Sequence, residues 1–131
     1  MPNRIHGAVF IVLMLVLAAA GCAGGEELAP SISPQALQER IASDDAPLLL
    51  DVRTPAEFQD GHIPGAINVP HEQVASRAAE LASQNGVAVY CMKGPRARLG
   101  EQALLAAGAT EVLHVEGGFS AWQAAGLPVE Q

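Results

Sequence analysis

The stretch Cys91-Met92-Lys93-Gly94-Pro95-Arg96-Ala97 gathers a thiol, a glycine and two cations into one short turn of chain. Val87-Ala88-Val89-Tyr90 runs into it, apolar and partly β-branched, and a helical pattern leaves it from Ala97 to Ala107. The thiol therefore falls where a buried strand stops and a helix begins. In an open α/β sheet, ligands bind at that edge, beyond the carboxyl ends of the strands. Backbone N–H groups in such a turn point inward and the helix start adds positive potential, so the site suits an anion. The same field, with Lys93 and Arg96 close by, favours the thiolate, which is the attacking form of cysteine. A cysteine that merely packs is the alternative. Packing, however, needs neither a glycine for close backbone approach nor two cations beside it.

The elements that must hold this turn can be read from caps and periodicity. Ser33-Pro34 opens a helix that runs to about Ala42, with Ser33 as N-cap and Pro34 at the first helical position. Leu48-Leu49-Leu50-Asp51-Val52 is a buried strand with an aspartate near its end. Thr54-Pro55-Ala56-Glu57 is a capping box for a brief helix from Pro55 to Gln59, which Asp60-Gly61 ends. A short strand is expected over Ala66 to Val69, and a helix from Glu72 to Ala82 with Val74 and Leu81 facing inward. Asn85-Gly86 turns the chain into the strand that carries Cys91. Gly108 stops the following helix, Glu111 to Val115 forms another strand, and Gly117-Gly118 leads into a last short helix bearing Trp122 as a packing residue. Strands alternating with helices imply right-handed βαβ units and a parallel sheet covered on both faces.

Cys91-Met92-Lys93-Gly94-Pro95-Arg96 resembles the C-x-x-G-x-R active loop of rhodanese-type sulfurtransferases. Asp51-Val52-Arg53, Glu57-Phe58 and Gly61-His62-Ile63-Pro64-Gly65-Ala66-Ile67-Asn68 resemble the family's first signature. Gly117-Gly118-Phe119-Ser120-Ala121-Trp122 through Gly126-Leu127-Pro128-Val129 resembles its last. The resemblance spans residues 31–131 and implies a three-layer α/β/α domain with a mainly parallel five-stranded sheet. It implies Cys91 as the nucleophile, with Met92, Lys93, Gly94, Arg96 and Ala97 around the substrate and Arg53 beside them. Asp51, Glu57 and His62 are then supporting residues. Arg53 either backs the loop and the incoming anion or joins Asp51 and Glu57 in an ion network that fixes the turn. His62 is expected to hydrogen-bond backbone in a tight loop. Two departures stand out: Pro95 has no N–H to offer and should push Gly94 toward an extended conformation, and Ala97 stands where the family often has Ser or Thr.

Residues 1–21 read as a signal peptide, with Arg4 as its charged start and an apolar run of 13 from Ala8 to Ala20. That run is short for a membrane-spanning helix, which takes roughly 20 residues. Leu17-Ala18-Ala19-Ala20-Gly21-Cys22 resembles a bacterial lipobox, with cleavage before Cys22 and lipid on its sulfur; ordinary cleavage at a small-residue site is the alternative. Residues 22–30 then form a flexible tether, and the domain is exported and membrane-anchored on the periplasmic or cell-surface side. Only two cysteines exist. Lipid on Cys22 leaves Cys91 as an unpaired thiol in an exported protein, which marks it as reactive. Loss of Arg4 leaves six cations against fourteen acids, a net charge of −8. Such a surface argues against nucleic acid. Yet Lys93, Arg96 and Arg98 lie together, so one spot should attract anions.

His71 and His114 have no partners at metal-ligand spacing, so no metal is expected, and no nucleotide-binding motif calls for a cofactor. A thiolate among N–H donors suits attack on a sulfur that carries a good leaving group. The family resemblance implies transfer of sulfane sulfur from thiosulfate or a similar donor, through a Cys91 persulfide, to cyanide or a small thiol, in a domain acting as a monomer. Phosphatases of the related cell-cycle type carry five residues between Cys and Arg; here there are four, Met92 to Pro95. The alternative from another class is a persulfide carrier or oxyanion-binding module without turnover.

Overall fold

The computed structural model describes residues 28–131. The expected signal peptide, Cys22 and the tether up to residue 27 lie outside the described residues. The elements in chain order are β1 (Ser31–Ile32), α1 (Pro34–Ala42), β2 (Leu48–Asp51), α2 (Pro55–Asp60) and β3 (Ile67–Asn68). They continue with α3 (His71–Ala82), β4 (Val87–Tyr90), α4 (Pro95–Ala106), β5 (Val112–Val115) and α5 (Gly118–Ala124). The strands form one sheet in the order β1-β5-β4-β2-β3, with every pairing parallel. Both ends of β4 are therefore central, and Cys91 follows it at the middle of the sheet's carboxyl edge.

Strand alternation divides the core into two layers. Leu50, Val52, Val87, Val89 and Val112 face one way, against Val74 and Leu81 of α3 and Ala97 and Leu104 of α4. Leu49, Ala88, Tyr90 and Val115 face the other way, against Leu37 of α1 and Phe119 and Trp122 of α5. This is the period-two geometry of a strand buried on both faces, and it confirms the three-layer α/β/α arrangement. The caps form as their residues dictate. Ser33 Oγ accepts the Ala36 N–H at 3.1 Å, and Thr54 and Glu57 complete a capping box.

Several element ends differ by one residue from those expected, and three differences go further. β1 was not expected, because two residues carry no alternation. It forms by hydrogen bonding along β5, with His114 N–H on the Pro30 carbonyl and Glu116 N–H on that of Ile32. α4 begins at Pro95 rather than Ala97, since proline fits the first helical position, where its missing N–H costs nothing to the helix. β3 is shorter than Ala66–Val69, only Ile67–Asn68. At the far end, His62 and Glu130 exchange backbone hydrogen bonds of 2.9 Å each way, folding the tail back over the α2–β3 loop.

A charged knot closes the carboxyl end of β2. Asp51 and Arg53 are 0% and 1% exposed. The Arg53 guanidinium donates to both Asp51 carboxylate oxygens and, at 2.6 Å, to the Gly61 carbonyl. Its flat face lies 4.2 Å from the Phe119 ring centre. Removing one partner of a buried pair leaves a naked charge, which costs about 3–5 kcal/mol. Arg53→Met is therefore expected to lower unfolding free energy by about that much in urea titrations at neutral pH. An unchanged midpoint would mean that Arg53 is not a frame residue.

Candidate functional site

The loop from Cys91 to Gly94 is slung between two helices. On one side, α4 starts at Pro95 with Gly94 as its N-cap. On the other, the first turn of α5 donates to the loop: Phe119 N–H bonds the Cys91 carbonyl at 2.8 Å and Ser120 N–H bonds that of Met92 at 3.0 Å. These are N–H groups that a helix start cannot satisfy internally. Gly118 makes this approach possible. A Cβ there would stand 2.5 Å from the Cys91 oxygen and 2.7 Å from that of Met92, at a φ of 61°.

Cys91 is 1% exposed, and the Gly94 N–H donates to its Sγ at 3.1 Å. Gly94 adopts φ 155° and ψ −41°, a region L side chains rarely visit. The sequence suggested an extended Gly94 ahead of a proline; without a Cβ the residue escapes that restriction and takes the conformation that aims its N–H at sulfur. Lys93 is exposed and, among the described residues, makes no ion pair. Ala97 is fully buried in the core layer under α3 and α4, so its methyl packs and does not face a ligand. Met92 lies against the opposite layer, half-buried.

Arg96 and Glu57, 39 residues apart, meet in a two-pronged salt bridge: Nη1 to Oε1 at 2.7 Å and Nη2 to Oε2 at 3.0 Å. The family resemblance implies an Arg96 that stands around the substrate. The fork points to Glu57 instead, and Glu57 leaves the Asp51–Arg53 pair with which it was grouped. Arg96 stays close enough to Cys91 for electrostatics: its guanidinium is held charged first by Glu57 and further by the field of Cys91 and Asp51. Arg98 also turns inward, to Glu101 and to the Ala29 carbonyl, each at 3.1 Å. Of the three clustered cations, only Lys93 is left for solution.

His62 stacks on Phe58 at 3.7 Å between ring centres. Its Nδ1 donates to the Phe58 carbonyl at 2.8 Å, and Nε2 lies 3.5 Å from Glu130. It holds its loop, as expected. Beside the active loop, Arg53, Glu57, Asp60, Gly61, Met92, Phe119 and Gln123 line a cleft of about 190 Å³. A larger hollow, about 520 Å³, lies at the other end of the sheet around Pro47, Leu48 and Asn85, remote from the thiol. Among the described residues, no three His, Cys, Asp or Glu side chains converge as a metal site would require.

A second pair, after Glu57–Arg96, escaped the sequence reading. His114, set aside for want of a metal partner, meets Glu101 at 2.7 Å, Nδ1 to Oε2, behind the loop. The available signal was a carboxylate at position 101 on the buried stripe of α4 that also carries Ala97 and Leu104.

Residues 33–125 match the family model for the rhodanese-like domain. A sulfurtransferase of Allochromatium vinosum is 36% identical over 98 residues, covering 75% of this chain and 92% of that protein. Among solved structures, a protein of unknown function from Rhodopseudomonas palustris, described as a possible tyrosine phosphatase, superposes with a TM-score of 0.71 at 25% identity, over 78% of this chain and 85% of that one. A thiosulfate sulfurtransferase of Pseudomonas aeruginosa superposes with a TM-score of 0.69 at 29% identity, over 82% of this chain and 20% of that one.

The Glu57–Arg96 bridge has a titration signature. Arg96 chiefly, with help from the Thr54 N–H and against partial burial, holds the Glu57 carboxyl at about 2, down from its ordinary 4.5. A carboxylate depressed in this way stabilises the fold above its unfolded value and loses that contribution as pH falls toward the folded one. The wild type should thus exceed Glu57→Gln in urea midpoint at neutral pH. The two should converge as acid takes the sample from about 4.5 to about 2. Curves that stay parallel throughout would show the bridge contributes nothing.

Proposed function

The chain belongs to the rhodanese-like domain family, and from that premise we propose that it is a sulfurtransferase that carries sulfane sulfur on Cys91. The observation behind this reading is the Gly94 N–H at 3.1 Å from Sγ. A hydrogen bond to an anionic sulfur is charge-assisted, and such bonds are roughly twice as strong as neutral ones. It is placed to hold the sulfur during attack and the anionic persulfide afterwards. The start of α4, a helix of 12 residues, adds its positive end at the same point.

With thiosulfate as donor, the Cys91 thiolate attacks the outer sulfur. The S–S bond of the donor breaks and sulfite leaves with its electron pair. Cyanide or a thiolate then attacks the terminal sulfur, leaves as thiocyanate or a persulfide, and restores the Cys91 thiolate. No external oxidant or reductant is consumed. Lys93, exposed and unpaired among the described residues, is the cation free to meet a dianion on an otherwise acidic protein. The phosphatase description of the Rhodopseudomonas neighbour fits this loop poorly: four residues separate Cys91 from Arg96, and the Arg96 fork is closed on Glu57. A carrier without turnover is the second reading. It is favoured by the burial of Cys91 and by Ala97, which brings no hydroxyl to the loop.

We further propose export of the chain and its anchoring through lipid on Cys22. The support is the sequence alone, in the lipobox-like Leu17–Cys22 and the apolar run before it. In membrane fractions of a bacterial host, mature protein should begin at Cys22 with a lipid-sized mass increment, and Cys22→Ala should release the domain into solution. A free Cys22 thiol in mature protein would exclude the anchor.

Thiosulfate should add one sulfur atom, about 32 Da, to the Cys91 peptide, and cyanide should remove it as thiocyanate over many cycles. Cys91→Ser should abolish the adduct and retain the fold. Loading without repeated cycles would favour the carrier, and no loading from any sulfane donor would defeat both readings.

A further inference from the structure

Sulfur transfer as described makes no use of Glu101 and His114. Glu101 is 1% exposed and sits on the sheet side of α4, one position after Gly100. Its Oε1 accepts from Arg98 at 3.1 Å and its Oε2 from His114 Nδ1 at 2.7 Å. His114, 7% exposed, projects from β5 into the same layer. Opposite a carboxylate at that distance, Nδ1 must carry a proton, which leaves Nε2 at the far edge of the ring. That edge faces the loop: Cε1 and Nε2 are each 3.6 Å from the point where a Cβ on Gly94 would stand. A buried charged network is a weak source of stability, since apolar groups of equal volume often serve as well or better. Its better use is to specify geometry.

We propose that Glu101 and His114 are positioning residues of the sulfur-carrying loop: Glu101 fixes the tilt of the imidazole, and the imidazole edge braces Gly94 so that its N–H stays on Cys91 Sγ. Gly94 needs such a support. At φ 155° it has no side chain to lock its own backbone, and it must serve both as donor to sulfur and as N-cap of α4. One face of Gly94 is held by the thiol, and the imidazole edge lies over the other, at ordinary contact distance from where a Cβ would stand. The charged groups facing His114 are Glu101 and, through it, Arg98 from α4; β1 brings Ser31 alongside, without charge. The inference rests on Cys91 being the nucleophile of the proposed reaction, but its test reads the thiol directly.

The test follows iodoacetamide alkylation of the Cys91 peptide as a function of pH in the full chain, with melting temperature measured in parallel. His114→Phe keeps a ring but loses the bond to Glu101, and Glu101→Leu frees the ring. Both should slow alkylation at neutral pH about tenfold and displace the profile to higher pH, the size expected when a hydrogen bond to an anion is weakened. Glu101→Gln, whose amide oxygen can still accept from Nδ1, should restore the profile to within about twofold of wild type. Sulfur loading, where it occurs, should fall in kcat and not in KM. Profiles that superpose on wild type while melting temperature drops would reduce the pair to scaffold and overturn the proposal. Should the variants fail to fold, the wild-type protein decides: its NMR spectra must show the His114 ring close to Gly94, and the absence of any such contact overturns the proposal as well. Failure of any donor to load Cys91 would defeat the sulfurtransferase reading and leave the alkylation result standing.

Discussion

The loop end of this domain depends on one buried guanidinium. Arg53 cannot shed its charge, so in a dry interior every donor must find an acceptor. Asp51 and the Gly61 carbonyl take the Nε and Nη2 donors, and Phe119 covers the flat face. Each partner belongs to a different part of the chain: the end of β2, the turn after α2 and the first turn of α5. Asn68 tightens the knot by donating to the carbonyls of Asp51 and Arg53. The constraint then passes to the thiol, because the same Phe119 whose ring covers Arg53 gives its N–H to the Cys91 carbonyl. Position is transmitted from an ion pair to the Cys91 backbone through one aromatic residue.

What could be read from the sequence was local. Ser33 and Thr54 announced helix starts because their side chains satisfy backbone donors three residues away. The strands declared themselves by apolar runs, and the strand–turn–helix around Cys91 by the abrupt change of period. Two kinds of feature stayed hidden. β1 is too short to have a period and exists because β5 offers an edge. The others are long-range charge pairings, Arg96 with Glu57 and Glu101 with His114, which no spacing rule connects. The expectation of a cationic patch failed for the same reason: Arg96, Arg98 and Lys93 are adjacent in sequence, yet two of them turn to carboxylates contributed from α2 and from within α4.

That redistribution changes what the loop offers to solution. A patch of three free cations would attract any oxyanion that arrived. Paired as they are, Arg96 and Arg98 hold the helix start, and the charge left open is the exposed Lys93. The neighbouring cleft is lined by Arg53, Glu57 and Asp60 together with the apolar Met92 and Phe119.

Trp122 is the protein's single tryptophan and is fully buried. Its indole N–H bonds the Pro128 carbonyl at 2.7 Å, and it rides on the helix that suspends the Cys91 carbonyl. The molecule therefore contains its own optical gauge. Its ultraviolet emission arises from one chromophore in one dry environment, with no averaging over sites. Any event that shifts α5 is written into the wavelength and lifetime of that one fluorophore.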